Sequence, residues 1–529
     1  MLLSIPPMNA SQKNKSIAQV AGRGVIYITF AKIWFMITGW ALVFGLPRIF
    51  EWSAGGDAEM GQRYYGLYGL TMAGVSILNN GLITGSLQSV SRFTAMDEAR
   101  AGAVRRTAML LIGSIGLLLA LLYAVFAGLI AEKGLKSTEP ELALYMRISA
   151  IVVFAYALYA VFIGSFNGRR QFGRQALFDI IFATLKTSSM VVLVFWGFQV
   201  LGTVLGFALS AVLIMLAAGW ASRIPAREFY PAGPFFRYAV MLLIYTFVFN
   251  LLMQFDIFLL SGLVPRMAES AGLTPDAASA IMEARAGQYK AVQQLAFIPF
   301  QGTIAIGLVV FPLISKVSQE SDKAKARALV SDAVRFTAIF IVGFAVVLAA
   351  VPQQAVTLIF KSEYAVGAPA LRVLVLGLAA FGLMSIGNNI LNAAGLKWRA
   401  LAVVLIGFLA LLVGIYFSIT RAGHGDEVLL ATAVGTALGM LVALVVSGWF
   451  VYRRFGAFCP PLTLLRVLVA AAVAMLVGHF LPDKGKLFTL LECVAVFAVY
   501  AAVLLVLREF NASDWARLRQ IAPKRNAPQ

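Results

Sequence analysis

The stretch GQYKAVQQLAFIPFQGTIAIGLVVFPLISK, Gly287 to Lys316, decides the fold, because an earlier stretch carries the same markers in the same order. From Gly66 to Arg92 the chain opens on Gly66-Leu67-Tyr68 where the later stretch opens on Gly287-Gln288-Tyr289. It closes on Val90-Ser91-Arg92 where the later one closes on Ile314-Ser315-Lys316. The offset is 221 residues at the start and 224 at the end. Further on, Met146-Arg147-Ile148 answers Leu371-Arg372-Val373 at 225, and Gly168-Arg169-Arg170 answers Gly395-Leu396-Lys397 at 227. Matches along one diagonal read as a duplication, and the chain as two related halves.

Composition names the solvent. Of 529 residues 60% are hydrophobic and 13% charged, with mean hydropathy +0.86, whereas soluble domains are about a quarter charged. Each apolar run of about 20 residues is long enough to cross a bilayer as a helix. Fourteen such runs lie within 24–48, 64–90, 108–131, 143–167, 177–200, 202–221, 238–263, 289–315, 336–359, 368–392, 399–419, 428–452, 465–481 and 488–507, the fifth and sixth nearly continuous around Leu201-Gly202-Thr203. Residues 1–23 lack a continuous apolar core, so they do not resemble a cleavable signal peptide. Cys459 falls in a predicted loop and Cys493 in a predicted span, which implies no disulfide framework. The net charge of +19 is spread in small groups over many short loops, the pattern of the positive-inside rule rather than of a nucleic-acid face.

An even span count puts both termini on one side, and the excess of Lys and Arg makes that side the cytoplasm. Six spans per repeat give both halves one orientation, related by an axis along the membrane normal. The expected fold is therefore an all-α polytopic membrane protein of about fourteen transmembrane helices, two parallel six-helix lobes plus two extra C-terminal helices. The expected divisions are a cytoplasmic segment 1–23, an N-lobe 24–222, a cytoplasmic linker 223–237, a C-lobe 238–452, the last two spans in 453–508 and a cytoplasmic tail 509–529. Pro225, Pro231, Gly233 and Pro234 disfavour helix in the linker. Thr274-Pro275-Asp276 predicts a helix start, with 277–283 as a short surface helix. The inner loop 316–335 predicts either an amphipathic helix on anionic lipid or a solvated connector.

No HExxH, paired cysteine motif or GxxxxGK[ST] loop is encoded, and His424 and His479 lie in or beside different outer loops. Metal and ATP chemistry are thus not expected. Polar residues within spans are the informative ones, because they are costly in lipid and mark bundle interiors or watery cavities. Lys32 lies about 12 Å along the first span, and Lys186 near the middle of the fifth. They make the first lobe's lining cationic if they face inward, or Lys186 pairs locally with Asp179. Arg147 and Arg372 hold equivalent positions near the outer ends of their spans, at a cavity mouth or snorkelling to the interface. Asn250 and Gln254 share a face of span seven; Asp256, turned about 200° from Gln254, binds a coupling proton or cation or pairs with a lysine across the lobes. Asn79, Asn80 and Gln88, then Gln293, Gln294 and Gln301, then Asn388, Asn389 and Asn392 complete the polar set, with interhelical hydrogen bonding as the plainer role for most of them.

The GxY opening and FPxxS close of span eight, the run FKSEYAVGAPALRVL at 360–374, the Asn392-Ala393-Ala394-Gly395 end of span ten and the six-plus-six repeat resemble the multidrug/oligosaccharidyl-lipid/polysaccharide (MOP) exporter superfamily. Within it the resemblance is to Wzx-type polysaccharide flippases. It implies lobes around a cavity with alternating access, moving polyprenyl-diphosphate-linked oligosaccharide from the inner to the outer leaflet of the bacterial cytoplasmic membrane. It implies a transporter rather than an enzyme, no cofactor beyond H+ or Na+ coupling through Asp256 or Asp179, and a polysaccharide polymerase and other assembly proteins as partners. Lys32 and Lys186 would then hold the diphosphate as point charges and the amides would meet the sugars. A drug/cation antiporter of the same superfamily would want an acidic cavity. Lipid II flippases carry an arginine-rich first span, absent from VIYITFAKIWFMITGW at 25–40. A membrane glycosyltransferase or polymerase would need catalytic carboxylates on sizeable loops, and these loops are short.

Overall fold

The computed structural model describes residues 10–226, 228–319, 323–481 and 485–510, with side chains from Tyr27 onward except at 304, 305, 308, 309, 311–313 and 315–319. The first nine residues and the expected tail beyond 510 lie outside the described residues. Among the described residues the regular structure is entirely helical. The chain divides into two compact units, Met1–Lys290 and Ala291–Gln529.

The first unit contains α1 (Ala10–Ser53), α2 (Ala58–Met96), α3 (Ala101–Leu129), α4 (Pro140–Gly168), α5 (Phe172–Leu193), α6 (Gln199–Ala221), α7 (Ala232–Gln254), α8 (Asp256–Ser270) and the first turns of α9 (Pro275–Gln319). Helix α2 packs on α4 and α7; α5 packs on α1 and α6. Asp57 caps α2, its Oδ1 accepting from Glu59 N at 2.9 Å and Met60 N at 3.1 Å, which satisfies two otherwise orphaned donors.

Three sequence expectations are corrected here. The break between spans five and six falls at Gly197, with φ 91°, rather than at 201–203, since glycine alone takes that conformation without penalty. Gly202 serves close packing instead: a Cβ there would stand 2.9 Å from the Leu193 carbonyl carbon. Span seven is not one helix across 238–263 but α7 and α8, divided at Phe255, with Asp256 Oδ1 accepting the Ile257 amide at 2.9 Å. The helix start at Thr274-Pro275 holds, and Thr274 Oγ1 accepts from Ala277 N. However, 277–283 is no surface helix. It is the beginning of the 45-residue α9, with Ala278, Met282 and Glu283 buried.

The second unit contains the rest of α9, then α10 (Lys323–Ala350), α11 (Pro352–Ile359), α12 (Ala368–Ala393), α13 (Lys397–Ala422), α14 (Glu427–Phe455), α15 (Pro461–His479) and α16 (Lys486–Val506). Helix α14 lies against both α12 and α13, and α10 against α12 and α15. Expected span nine, 336–359, breaks before Pro352, which has no amide hydrogen to continue α10. Of the inner loop 316–335, with its expected helix on lipid or solvated connector, 316–319 end α9 and 323–335 begin α10. In the latter, Ala326, Val330, Ala333 and Val334 are buried within the unit. Helices α15 and α16 join α10 through Val346, Val467, Ala474, Val496 and Tyr500, and the Tyr500 hydroxyl donates to Ile339 O at 3.0 Å. Beyond α16, the Glu509 carboxylate accepts from Arg335 Nε at 2.7 Å, Thr463 Oγ1 at 2.7 Å and Arg466 Nη1 at 3.1 Å.

Among the described residues eleven segments are long and apolar enough to cross a membrane, and one of them, 172–221, covers both α5 and α6. Helix α2, diluted by Asn79, Asn80 and Gln88, is not among them and depends on burial within its unit. The protein is an all-α polytopic membrane protein.

Candidate functional site

The strongest concentration of charge within the spans of the first unit lies between α1, α5 and α6. Lys32 Nζ stands 3.9 Å from Asp179 Oδ2, and the Tyr159 hydroxyl donates to Asp179 Oδ1 at 3.1 Å. The lysine side chain is 66% exposed and the carboxylate 15%. A contact this long, with its cation in the open, is weakly held. Asp179 is thus Lys32's partner and not that of Lys186, which corrects the local pairing considered from sequence. Helical spacing puts Asp179 and Lys186 on one face, but the approach of α1 decides which lysine meets the carboxylate.

Lys186 makes no ion pair among the described residues. Its Nζ lies 4.9 Å from the centroid of Phe35, 5.6 Å from Phe207 and 6.0 Å from Phe182. Ring faces stabilise a cation electrostatically without neutralising it. Trp34 Nε1 donates to Thr184 Oγ1 at 2.9 Å, fixing α1 against α5 beside this cluster. Two cations and one carboxylate leave the group net positive.

A second polar set joins α2, α7 and α8. Thr246 Oγ1 donates to Gly81 O at 2.9 Å, tying α7 to α2. Asn250 Nδ2 is taken up by Thr246 O of its own helix at 2.7 Å. Asn79 and Gln254 are buried, and their amide oxygens have no hydrogen-bond partner among the described residues; Asn80 and Gln88 are exposed. Asp256 is buried, with Oδ2 accepting the Tyr289 hydroxyl at 2.7 Å. Lys290, also buried, carries the charge that Asp256 acts on. Sequence reading did not single out Lys290, although it directly follows the GxY marker at the start of span eight.

Arg147 and Arg372 have matching local surroundings. Arg372 Nε donates to Ala349 O, in the last turn of α10, at 3.0 Å. The Arg147 guanidinium lies over Gly128, in the last turn of α3. Arg372 therefore meets the negative end of the α10 dipole. In the second unit Asn388 is fully buried, its Nδ2 donating to Ala400 O at 3.4 Å and its Oδ1 unpartnered.

The duplicated markers meet at the crossing of α2 with the first turns of α9. A Cβ on Gly66 would lie 2.0 Å from Glu283 O, and one on Gly287 would lie 2.3 Å from Gln62 O. Residues 62 and 283, like 66 and 287, differ by the repeat offset, so equivalent residues face each other as across a two-fold axis. Around the crossing Arg63 Nε donates to Glu283 Oε2 at 2.8 Å and Gln288 Nε2 to Gln62 Oε1 at 3.2 Å. Glu283 also accepts from Ser279 Oγ at 3.1 Å. Burial tends to raise its carboxyl pKa, and the Arg63 and Ser279 donors oppose this, leaving a net upward shift. Neither Glu283 nor Arg63 had a sequence signal beyond its closeness to the markers.

Two family models, both described as polysaccharide biosynthesis protein, match residues 58–318 and 277–369. The lipid II flippase MurJ in an inward closed conformation is similar in fold, with TM-score 0.66, 15% identity, and coverage of 90% of this chain and 98% of that one. An outward-facing multidrug resistance MATE family transporter gives 0.60 at 17% identity over 82% and 95%. A MOP superfamily transporter from Pyrococcus furiosus, whose binding pocket is described as reversed in polarity, gives 0.55 at 16% over 82% and 96%. An uncharacterized membrane protein of Methanocaldococcus jannaschii is 24% identical over 149 residues, and the match spans 28% of each chain. Part of the sequence thus matches models of polysaccharide biosynthesis proteins, and the fold is similar to that of MurJ and the MATE transporters.

Proposed function

We propose that the protein flips polyprenyl-diphosphate-linked oligosaccharide from the inner to the outer leaflet of a bacterial cytoplasmic membrane, with both termini cytoplasmic, and hands it to a polysaccharide polymerase. The observation that carries this is the surplus cation of the α1–α5–α6 cluster: Asp179 answers Lys32 only at 3.9 Å, and Lys186 has aromatic rings but no carboxylate. A diphosphate offers only acceptor oxygens and negative charge, so it would draw Lys32 from that long contact and reach Lys186. An organic cation would be repelled. The Pyrococcus furiosus transporter of similar fold is described as having a binding pocket of reverse polarity that suggests a different function.

The energetic logic favours such a site. Each unsatisfied polar group of a headgroup in hydrocarbon costs several kcal/mol, and the unspent amide oxygens of Asn79 and Gln254 in the first unit suit sugar hydroxyls. With the cell interior negative, each negative charge moved outward gains about 2.3 kcal/mol per 100 mV. Asp256, at the α7–α8 break with Tyr289 on its outer oxygen, is the group we assign to a coupling proton or Na+.

The test is reconstitution into liposomes carrying a lipid-linked oligosaccharide, with a lectin added outside to report the leaflet. Lectin-accessible glycan should rise above the protein-free level without change of linkage. An unchanged leaflet distribution refutes flipping, and an altered linkage would make the protein an enzyme.

A further inference from the structure

At the opposite end of the first unit from the α2–α9 crossing, three connections come together: 97–100 after α2, 169–171 after α4 and 222–231 after α6. The sequence there carries many arginines and no lysine: Arg92, Arg100, Arg105 and Arg106, then Arg169, Arg170 and Arg174, then Arg223 and Arg237. The connections are locked together. Thr107 Oγ1 accepts from Tyr230 N at 2.9 Å and donates to Tyr230 O at 3.0 Å, Ser91 Oγ donates to Asn167 Oδ1 at 2.6 Å, and Asn167 Nδ2 donates to Gln175 Oε1 at 2.8 Å.

Several of these arginines are already engaged. Arg100 meets Glu228 at 3.8 Å, Arg106 stacks 4.1 Å from the Phe229 ring and Arg92 4.5 Å from Tyr238. Arg105 and Arg169 differ. Arg105 Nη1 donates to Ser222 Oγ at 3.1 Å, but its Nε is buried without a partner; Arg169 donates weakly from Nε to Ser165 O at 3.4 Å, and its Nη2 is likewise buried and unpartnered. Buried polar atoms almost always find a partner, and charged donors most of all. The charges acting on Arg169 are those of Arg174 and Arg105, opposed by the exposed Glu98. Helix α5 also begins here at Phe172 without a side-chain cap, so its positive dipole end adds to the field, whereas the turn leading into α3 is capped by Asp97 Oδ1, which accepts from Arg100 N at 3.2 Å.

We propose that Arg105 and Arg169 form an anion site for a phosphoryl group, distinct from the Lys32–Lys186 cluster and independent of any transport role. One tetrahedral anion between them would accept from both idle N–H groups and relieve the repulsion between the two guanidiniums. A phospholipid headgroup and a free phosphate compound share this chemistry.

The experiment uses the full chain in the Lys32→Ala/Lys186→Ala background, so that the other proposed anion site cannot contribute. Inorganic pyrophosphate is titrated at constant ionic strength against the thermal unfolding midpoint and the phosphorus NMR linewidth. A saturable shift is expected, weakened at least tenfold in Arg105→Gln/Arg169→Gln and preserved in Arg100→Gln, whose arginine is already paired. Repeating the titration in nanodiscs with and without phosphatidylglycerol separates the sources. Competition from that lipid identifies a headgroup, and its absence a soluble phosphate compound. No saturable shift, or equal affinity in the double variant, overturns the site. Should the double variant not fold, Arg169→Lys, which keeps the charge but removes the Nη2 donor, takes its place, and affinity equal to the parent's overturns the site.

Discussion

Gly66→Ala gives the most direct trial of the duplicated crossing. The new methyl carbon would lie 2.0 Å from Glu283 O and 3.0 Å from Gly287 N, both backbone atoms that cannot swing aside. A carbon and a carbonyl oxygen meet at about 3.3 Å, so α2 and α9 must part locally by about 1.3 Å. That stretches the 2.8 Å Arg63–Glu283 hydrogen bond beyond useful range. Overpacking costs about 1–3 kcal/mol and a lost hydrogen bond to a charged group about 1.5–3 kcal/mol, together about 2.5–6 kcal/mol. Gly287→Ala, 2.3 Å from Gln62 O, should cost a similar amount, and the double variant less than the sum, because one displacement relieves both clashes. Gly39→Ala is the control. Nothing lies within 4 Å of its Cβ, and alanine should stabilise α1 by up to about 1 kcal/mol. Equilibrium unfolding in detergent measures all four. A Gly66→Ala protein within about 0.5 kcal/mol of wild type, the range of neutral surface changes, would refute the close approach.

Three further perturbations address the charged groups. Lys186→Ala should abolish lectin-detected flipping while leaving the protein inserted. Lys32→Ala should impair it, and Lys32→Ala/Asp179→Asn should remain impaired; recovery in that double variant would reduce Lys32 to a counterion of Asp179. Asp256→Asn should remove the dependence of flipping on an imposed pH or Na+ gradient, and Tyr289→Phe should shift its pH midpoint; gradient dependence unchanged in Asp256→Asn would exclude the coupling role. Burial works to raise the Glu509 carboxyl pKa, but hydrogen bonds from Arg335, Thr463 and Arg466 outweigh it and hold the group below its usual range. Its stabilisation is therefore complete above the unfolded value and lost as pH falls through the lower folded one. Thermal midpoints between pH 6 and 3 should show this acid loss in wild type and lose that component in Glu509→Gln. Arg335→Ala at neutral pH should cost about 1.5–3 kcal/mol, the loss of a hydrogen bond to a charged group, because Arg466 and Thr463 still hold the Glu509 carboxylate.

What the sequence alone determined was the solvent, the helical class and the internal repeat. Spanning a bilayer imposes a local requirement, an apolar run of fixed length, and each of the fourteen runs corresponds to helix in the structure. Gly66 and Gly287 were legible as matched markers, and Lys32, Lys186 and Asp256 as costly polar residues, because hydropathy alone exposes them. Tertiary structure decided where the helices break, at Gly197, Phe255 and Pro352, and which groups meet. Asp179 takes Lys32 because α1 lies against α5 at that height, a fact of helix rotation and depth that no spacing along α5 encodes. Glu283, Lys290, Arg105 and Arg169 gained their roles the same way. An ordinary charge near a helix end becomes chemically distinctive only when neighbouring helices exclude water from it, and that exclusion is a property of packing among distant segments.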